Sequence, residues 1–206
     1  MHREDLLKLL DDHETHFMEE AGYVQRARRW ILANPKIFDR KQSTHVTASA
    51  WVVNPDCTRV FMVHHGRLHQ WFQPGGHADG DNDVMRVALR EASEESGLDA
   101  EHIRLQSQRI FDVDIHWVPD TEVAPAHGHI DIRFLVEADD GLPVPGSHES
   151  HEVRWIALRE ATTYNSNRST WRMVEKTRRL RRALQQGQSI DAAAAGSAGR
   201  RARRFA

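Results

Sequence analysis

Residues 75–98, with the sequence GGHADGDNDVMRVALREASEESGL, constrain this 206-residue chain more than any other stretch. Within them, Glu91, Glu94 and Glu95 stand at positions i, i+3 and i+4, which share one face of a helix. Carboxylates held so close repel one another unless a cation offsets their charge, and a hard divalent cation with oxygen ligands does so most simply. The spacing therefore predicts a helix with a metal-binding face.

The residues on either side predict where this helix begins and ends. Asp81 or Asp83 supplies an N-cap, and Gly97 supplies the left-handed residue that stops a helix. Upstream, Gly75 and Gly76 form a tight turn that lets the backbone approach a metal ion or a phosphate. A solvated acidic face is the usual explanation of such a charge pattern. Here the turn, the helix and the stop agree with one another, which favours a metal site.

This stretch resembles the Nudix box, whose pattern is G-x5-E-x7-R-E-U-x-E-E-x-G-U, where U is a bulky apolar residue. The pattern positions that match are Gly76, Arg90, Glu91, Glu94, Glu95, Gly97 and Leu98. Two positions depart from the pattern. Asn82 stands in place of the first Glu, between two aspartates, and Ala92 is smaller than the usual apolar residue.

The resemblance implies a fold and an activity. We expect an α/β fold, a Nudix-type α/β/α sandwich with a mixed sheet, an extra N-terminal helix and a C-terminal helix. We expect a metal-dependent hydrolase of a pyrophosphate bond in a nucleoside diphosphate linked to another moiety, with Mg²⁺ or Mn²⁺ as the cofactor. Asn82 and Ala92 keep open a catalytically weak, ligand-binding or regulatory Nudix-like domain. The basic C-terminus keeps open an RNA 5′-end pyrophosphohydrolase.

The resemblance also assigns roles in the box. It assigns Glu91, Glu94 and Glu95 to the metal ion, with Gly75 beside them. Glu94 or Glu95 also positions the attacking water. Arg90 belongs to the catalytic group because it orients the glutamates by ion pairing. Gly76 is assigned to the substrate side, where its backbone approaches the phosphates.

Two further predicted strands carry alternating polar and apolar residues, which is typical of half-buried strands. They lie in residues 103–117 and 129–136, and we expect them to pair. Their shared polar face contains Asp112, Asp114, His116, His129, Asp131 and Arg133. If this face lines the cleft, Arg133 clamps a phosphate with its planar guanidinium. The alternative is a set of cross-strand ion pairs on a solvated face.

Two more residues are candidates for substrate contact. Trp71 stands at the mouth of the glycine turn, where it would stack on a base or a sugar; a core position is the alternative. Glu149 precedes the last predicted strand. There it resembles the acidic loop residue of many Nudix domains that supplies a further metal ligand or a base; a surface charge is the alternative.

Histidine is abundant, with 14 copies. His127 and His129 form a pair, but no clear partner pair is visible, whereas zinc sites usually show Cys or His pairs that can close a tetrahedron. We therefore interpret the histidines as polar lining of a cleft or as surface residues, and not as a zinc site.

Composition and charge indicate a soluble globular protein. Hydrophobic residues make up 39%, charged residues 28%, and the net charge is -2, so the chain as a whole has no bias toward nucleic acid or membrane. A single cysteine, Cys57, leaves no intrachain disulfide and suits a reducing compartment. We expect a cytoplasmic protein that acts on a small nucleotide, without a membrane or nucleic-acid partner.

Four segments are expected along the chain. They are an N-terminal helical extension at 1–42, a Nudix domain at 43–165, a C-terminal helix at 166–186 and a flexible basic tail at 187–206. The extension covers the sheet, or it acts as a lid or a dimer contact. A homodimer would suit such an extension. The basic end of the chain is interpreted as a solvated helix followed by the tail.

Overall fold

The computed structural model of the chain describes residues 2–66, 69–120, 125–146 and 150–191. Its α-helices are α1 (Arg3–Asp11), α2 (Met18–Ala33), α3 (Val84–Ser96), α4 (Ala161–Tyr164) and α5 (Arg168–Gln185). Its strands are β1 (Thr44–Val53), β2 (Arg59–His65), β3 (Gln70–Phe72), β4 (Gly75–His77), β5 (Ile103–Leu105), β6 (Asp112–Val118), β7 (His127–Ala138) and β8 (Ser150–Ala157). A short 3-10 helix, Ala100–His102, precedes β5.

The strands form one mixed sheet. Its main path is β3-β2-β1-β7-β5, and β4 pairs with β1, β6 with β7 and β8 with β2. The central strands β1 and β7 run parallel over ten residue pairs, from Thr44 opposite Gly128 to Val53 opposite Glu137. The remaining pairings in the described sheet are antiparallel. The prediction of an α/β fold with a mixed sheet and helices near both ends is confirmed, as is the predicted pairing of β6 with β7.

Alternation along β1 explains why the two sides of the sheet differ. The side chains that enter the main core with α1, α2 and α3 are Val46, Ala48, Ala50 and Val52. On the opposite side, Trp51 and Val53 pack with α4 and α5. The first half of that opposite side is polar, with His45, Thr47 and Ser49. The sheet therefore has apolar helix packing on both sides except along this polar stretch.

The extension expected at residues 1–42 is helical in two parts. The extension forms two helices, α1 and α2, which are separated by residues 12–17. A side-chain contact explains the break: in that segment His13 Nε2 lies 2.8 Å from Glu20 Oε1, and Thr15 donates to the same carboxylate. Leu6, Leu10 and Ile31 are buried in the main core. The two helices therefore cover the sheet as part of that core.

A network of buried charges joins α2, β6, β7 and α5. Its members are Glu20, Asp112, Asp114, Asp131, Arg133, Arg172 and Lys176. Arg172, which is 1% exposed, donates to the two oxygens of Asp112 at 2.7 and 2.8 Å and to Asp114 at 3.1 Å. Lys176 donates to Glu20 at 2.6 Å and to Asp112 at 2.8 Å. The arginines for which a solvated helix was expected, Arg178, Arg179, Arg181 and Arg182, are exposed, whereas Arg172 and Lys176 face the sheet and hold this network.

The network lowers the pKa of two carboxylates, Glu20 and Asp114. Burial acts to raise the pKa of Glu20, but the hydrogen bond with His13 and the charge of Lys176 outweigh it and hold that pKa well below its usual range. Burial likewise acts to raise the pKa of Asp114, and Arg133, His116 and Arg172 outweigh it. Both carboxylates are therefore stabilised in the charged form by the folded structure.

Within the part of the chain that the structure describes, no helix has both the length and the apolar composition needed to cross a lipid bilayer.

Replacing Arg172 by Met should lower the free energy of unfolding by about 3–5 kcal/mol, because it leaves buried carboxylates without their cation. Urea denaturation at pH 7 measures the change. Arg178→Met on the same helix is the control: Arg178 pairs with Glu175 at the surface, and its removal should change stability by no more than about 0.5 kcal/mol. Equal losses in the two variants would contradict a structural role of the network.

The lowered pKa values predict acid sensitivity. The stabilisation from Glu20 and Asp114 is complete above the unfolded carboxyl pKa of about 4 and is lost as the pH falls below it. In Lys176→Met the folded pKa of Glu20 rises, so the variant should be less stable at pH 7 and should lose less on acidification. Denaturation at a series of pH values checks this. The control Lys36→Met, at an exposed lysine, should give a curve of stability against pH parallel to that of the wild type. A parallel curve for Lys176→Met would refute the role of Lys176 in lowering the pKa of Glu20.

Candidate functional site

A cleft of about 570 Å³ opens on the polar side of β1. Thr47 and Ser49 of β1 lie in its floor, and the glycines of β4 lie at its edge. Side chains from β6, β7 and the start of α5 complete its walls. Its lining includes Phe72, Gly75, Gly76, Glu95, His129, Asp131, Arg133 and Arg168.

Helix α3 stands beside this cleft and carries the three glutamates. Asp83 is its N-cap and accepts a hydrogen bond from the Arg86 N–H at 3.1 Å, while Gly97 ends it with a left-handed φ of 73°. Val87, Ala88 and Ala92 are buried against the core. The predicted helix, cap and stop are confirmed, and the acidic face is directed away from the core.

The two glycines of β4 allow α3 to approach the strand closely. A Cβ atom on Gly76 would lie 2.5 Å from Glu91 Cδ, and one on Gly75 would lie 2.8 Å from the Cβ of Ser49. The Gly75 N–H donates to Glu95 Oε2 at 2.9 Å. A Cβ on Gly76 would displace the Glu91 carboxylate and one on Gly75 would displace Ser49, so the glycine pair leaves room for both groups beside the cleft.

Arg90 pairs with two of the glutamates. Its Nη2 lies 2.7 Å from Glu91 Oε1 and its Nη1 lies 2.9 Å from Glu94 Oε2. Burial, aided by the nearby charge of Glu94, raises the pKa of Glu91, and Arg90 acts against this. The side chain of Glu91 is only 13% exposed. A bound cation would therefore relieve a real electrostatic cost at Glu91.

The donor set suits a hard cation. Glu91, Glu94 and Glu95 offer carboxylate oxygens, and the backbone of Gly75 adjoins them. Oxygen ligands of this kind are preferred by Mg²⁺ and Mn²⁺, whereas softer metals prefer nitrogen or sulfur. The residues present therefore fit the cofactor that the box implies.

Aspartates order the loop ahead of α3, in which Asn82 occupies the place of the first box Glu. Asp81 pairs with Arg86 at 2.7 Å and accepts from the Asp83 N–H at 2.9 Å. Asp79 makes a two-bond pair with Arg40. Asn82 itself is exposed. These pairs provide loop order without a Glu at position 82.

Asp131 and Arg133 lie in the floor of the cleft. Asp131 accepts from Ser49 at 2.8 Å and from Thr47 at 3.2 Å. Arg133 is 3% exposed and pairs through Nε with Asp131 at 2.7 Å, through Nη1 with Asp112 at 3.2 Å and through Nη2 with Asp114 at 3.4 Å. Arg133 is therefore a buried cation that pairs with three carboxylates, which agrees with the ion-pair alternative better than with a phosphate clamp.

Trp71 occupies a core position, which was the alternative to stacking on a base or a sugar. It packs on the apolar cluster that Trp51 and Val53 form with α4 and α5. Its ring lies 5.4 Å from that of Tyr164 and 5.5 Å from the Arg154 guanidinium. The next residue, Phe72, points to the other side of β3 and lines the cleft. Phe72 thus occupies the place predicted for Trp71. Glu149 and residues 192–206 of the predicted tail lie outside the described residues.

Four histidines from three separate parts of the sequence lie together, and one of them, His129, lines the cleft. They are His45, His77, His127 and His129, and one ligand atom from each lies within 4.8 Å of all the others. The interpretation that His127 and His129 lack a partner pair is therefore wrong. Burial, followed by nearby positive groups, lowers the pKa of His77 to about 4 and that of His129 to about 2, so both are neutral at pH 7.

Gly76→Ala should disrupt the site without unfolding the chain. The added methyl group must displace Glu91, so the affinity for Mn²⁺ should fall by at least about tenfold. Gly22→Ala is the control, because a Cβ there meets no atom within 4 Å and should stabilise α2 by about 0.5–1 kcal/mol. Mn²⁺ titration followed by electron paramagnetic resonance measures the affinity. Unchanged Mn²⁺ binding in Gly76→Ala would contradict the proposed packing of Glu91.

Comparison with known proteins agrees with the fold. A family model described as NUDIX domain matches residues 43–177. The solved structure of a C. elegans Ap4A hydrolase binary complex has a TM-score of 0.53 and 17% identity, and the match covers 69% of this chain and 98% of that chain. At that identity the likeness supports the fold alone, and it agrees with the predicted sandwich.

Curated relatives match the central part of the chain. A Mycobacterium tuberculosis protein named "Putative 8-oxo-dGTP diphosphatase 3" is 34% identical over 116 residues, which is 52% of this chain and 48% of that protein. The chain thus spans about half the length of this relative. The asymmetrical bis(5'-nucleosyl)-tetraphosphatase of Mus musculus is 31% identical over 96 residues, or 46% of this chain and 60% of that protein.

Proposed function

Because the chain belongs to the NUDIX domain family, we propose that it is a metal-dependent hydrolase of a pyrophosphate bond in a nucleoside diphosphate linked to another group. One observation carries the proposal: three glutamates lie together on α3 beside a cleft, next to a glycine pair in which the Gly75 N–H holds Glu95 and Gly76 leaves room for the Glu91 carboxylate. The cleft is of the size that takes a nucleotide-sized ligand.

Glu91, Glu94 and Glu95 would hold Mg²⁺ or Mn²⁺, with Gly75 beside them. Such an ion, when bound, neutralises phosphoryl oxygens and acidifies water. Arg90 keeps Glu91 and Glu94 in register by its two ion pairs. This arrangement limits the repulsion among the carboxylates, so they need little reorganisation when the ion binds.

Glu95 is the glutamate best placed to orient the attacking water. It lines the cleft, whereas Glu94 faces a separate surface pocket with Arg86 and Arg90. The Gly75 N–H bond fixes Oε2 of Glu95 and so limits the motion of the carboxylate. A fixed carboxylate at the cleft wall can hold a water molecule and accept its proton as the water oxygen bonds to phosphorus and the P–O bond to the departing phosphate group breaks.

The cleft walls offer contacts for a nucleoside and its phosphates. Phe72 presents an aromatic face, and Arg168 is an exposed cation that stacks on Trp171 at 4.0 Å. Arg168 is therefore a better candidate than the buried Arg133 for a direct phosphate contact. The named substrates of the relatives are a nucleoside triphosphate and dinucleoside polyphosphates, which favours a nucleoside polyphosphate here.

The test is chromatographic product analysis with nucleoside triphosphates, dinucleoside polyphosphates, nucleotide sugars and ADP-ribose, with Mg²⁺, with Mn²⁺ and with chelator. We expect turnover of one class that requires metal. Glu95→Gln should lower kcat by about 10²–10⁴-fold, because it removes the group that accepts the proton. Glu101→Gln, at an exposed Glu on the 3-10 helix outside the cleft, is the control and should keep full activity.

Two results would contradict the proposal. One is the absence of turnover for every class although a nucleotide still raises the melting temperature, which would favour the ligand-binding alternative. The other is turnover that survives both chelation and Glu95→Gln, which would place the chemistry elsewhere.

A further inference from the structure

We propose that His45, His77, His127 and His129 form a second metal site, which binds one Zn²⁺ or a similar borderline transition-metal ion through four imidazole nitrogens. This site is chemically distinct from the carboxylate site on α3, because nitrogen ligands select different metals. Nothing in the proposed hydrolysis requires it, so its presence or absence is an independent question.

Strand pairing explains how the four residues come together. His45 of β1 lies opposite His129 of β7, and His77 of β4 pairs with Thr47, two residues after His45. Paired residues point to the same side of a sheet, and so do residues two apart on one strand. His127 is two residues before His129. All four side chains therefore leave three adjacent strands on one side, at the same end.

The ring separations match a tetrahedral arrangement. A Zn–N bond of about 2.0–2.1 Å places each ring centre roughly 3.2 Å from the ion, so tetrahedral imidazoles have ring centres about 5.2 Å apart. The distances from His45 to His77, His127 and His129 are 5.0, 5.2 and 5.0 Å. The ring centres of His77 and His129 are 5.1 Å apart, and those of His127 and His129 are 4.8 Å apart. Those of His77 and His127 are 6.3 Å apart. A planar arrangement would instead require two diagonal pairs well beyond the rest.

Hydrogen bonds leave the correct nitrogens available. Nδ1 of His45 lies 2.9 Å from the Gln42 carbonyl, and Nδ1 of His127 lies 2.7 Å from the Pro125 carbonyl. A carbonyl only accepts, so each Nδ1 carries the hydrogen and each neutral Nε2 has a free lone pair. An imidazole N–H directed at a carbonyl is the usual support of a metal-binding histidine.

The strongest single observation is at His45. This side chain is 1% exposed, and its Nε2 is buried without a hydrogen-bond partner. A buried acceptor left unsatisfied lowers the stability of the folded protein. His127 Nε2 also lies only 3.1 Å from His129 Nε2. At that separation one ring donates to the other, and one ion between the rings would instead bind both nitrogens.

Such an ion would tie the short strand β4 to the centre of the sheet. His77 directly follows Gly76, which contacts Glu91, and the His77 carbonyl accepts from Arg90 at 3.4 Å. Zinc at the histidines would therefore hold the glycine pair in place from the side opposite α3.

Equilibrium dialysis of the untagged, chelator-treated full chain against Zn²⁺ tests the site, with metal content measured by mass spectrometry. A large excess of Mg²⁺ is present throughout to occupy the carboxylates. We expect one Zn²⁺ per chain. In His127→Gln the Zn²⁺ affinity should fall by at least about 100-fold, because the loss of a metal ligand should cost at least as much affinity as the loss of a group that hydrogen-bonds to a ligand. His116→Gln is the matched control: its ring lies 5.2 Å from that of His129, but it is outside the set.

A second measurement does not depend on the folding of a variant. Wild-type protein loaded with Co²⁺ in excess Mg²⁺ should show the intense visible absorption of a tetrahedral nitrogen site. Three results would overturn the proposal: displacement of Zn²⁺ by Mg²⁺, equal Zn²⁺ affinity in His127→Gln and His116→Gln, or only the weak absorption of octahedral Co²⁺.

Discussion

The parallel register between β1 and β7 determines most of what this molecule can do. It places His45 beside His129, Thr47 beside Asp131 and Ser49 beside Arg133. A shift of one residue would turn these polar side chains into the main core and bring Val46 and Ala48 to the cleft. The cleft floor, the histidine set and the support for Asp131 therefore follow from one strand pairing, which apolar packing on the opposite side of β1 holds in place.

Buried charge is the second constraint, and it follows from the first. Arg133 emerges from β7 between three carboxylates, and Arg172 of α5 pairs with two of them. Ions buried in this way contribute little net stability, but each depends strongly on its partners. The network therefore ties α5 to the sheet in one orientation. Because Arg168 lies at the start of the same helix, that orientation also brings an exposed cation to the cleft wall.

The sequence predicted the parts of the site that are local in the chain. Glu91, Glu94 and Glu95 fall within five residues, and their cap and stop adjoin them, so spacing alone placed them on one helix face. The histidine set was not predictable in this way, because residues 45, 77, 127 and 129 meet only through strand register. Arg172 was missed for a related reason: helical periodicity does not show that its partner Asp112 is buried on a distant strand. Trp71 and Phe72 are neighbours on β3, and which of them faces the cleft again depends on the sheet.

The central claim is that the carboxylates of α3 hold the ion that meets a nucleotide in this cleft. Anomalous diffraction from crystals grown with Mn²⁺ and a non-hydrolysable nucleoside polyphosphate tests it most directly. We expect a manganese peak within about 2.2 Å of carboxylate oxygens of Glu91, Glu94 or Glu95, with the phosphates beside it and the base toward Phe72. A peak bound only by the histidines, or phosphates bound outside the cleft, would show that the α3 carboxylates do not hold this ion.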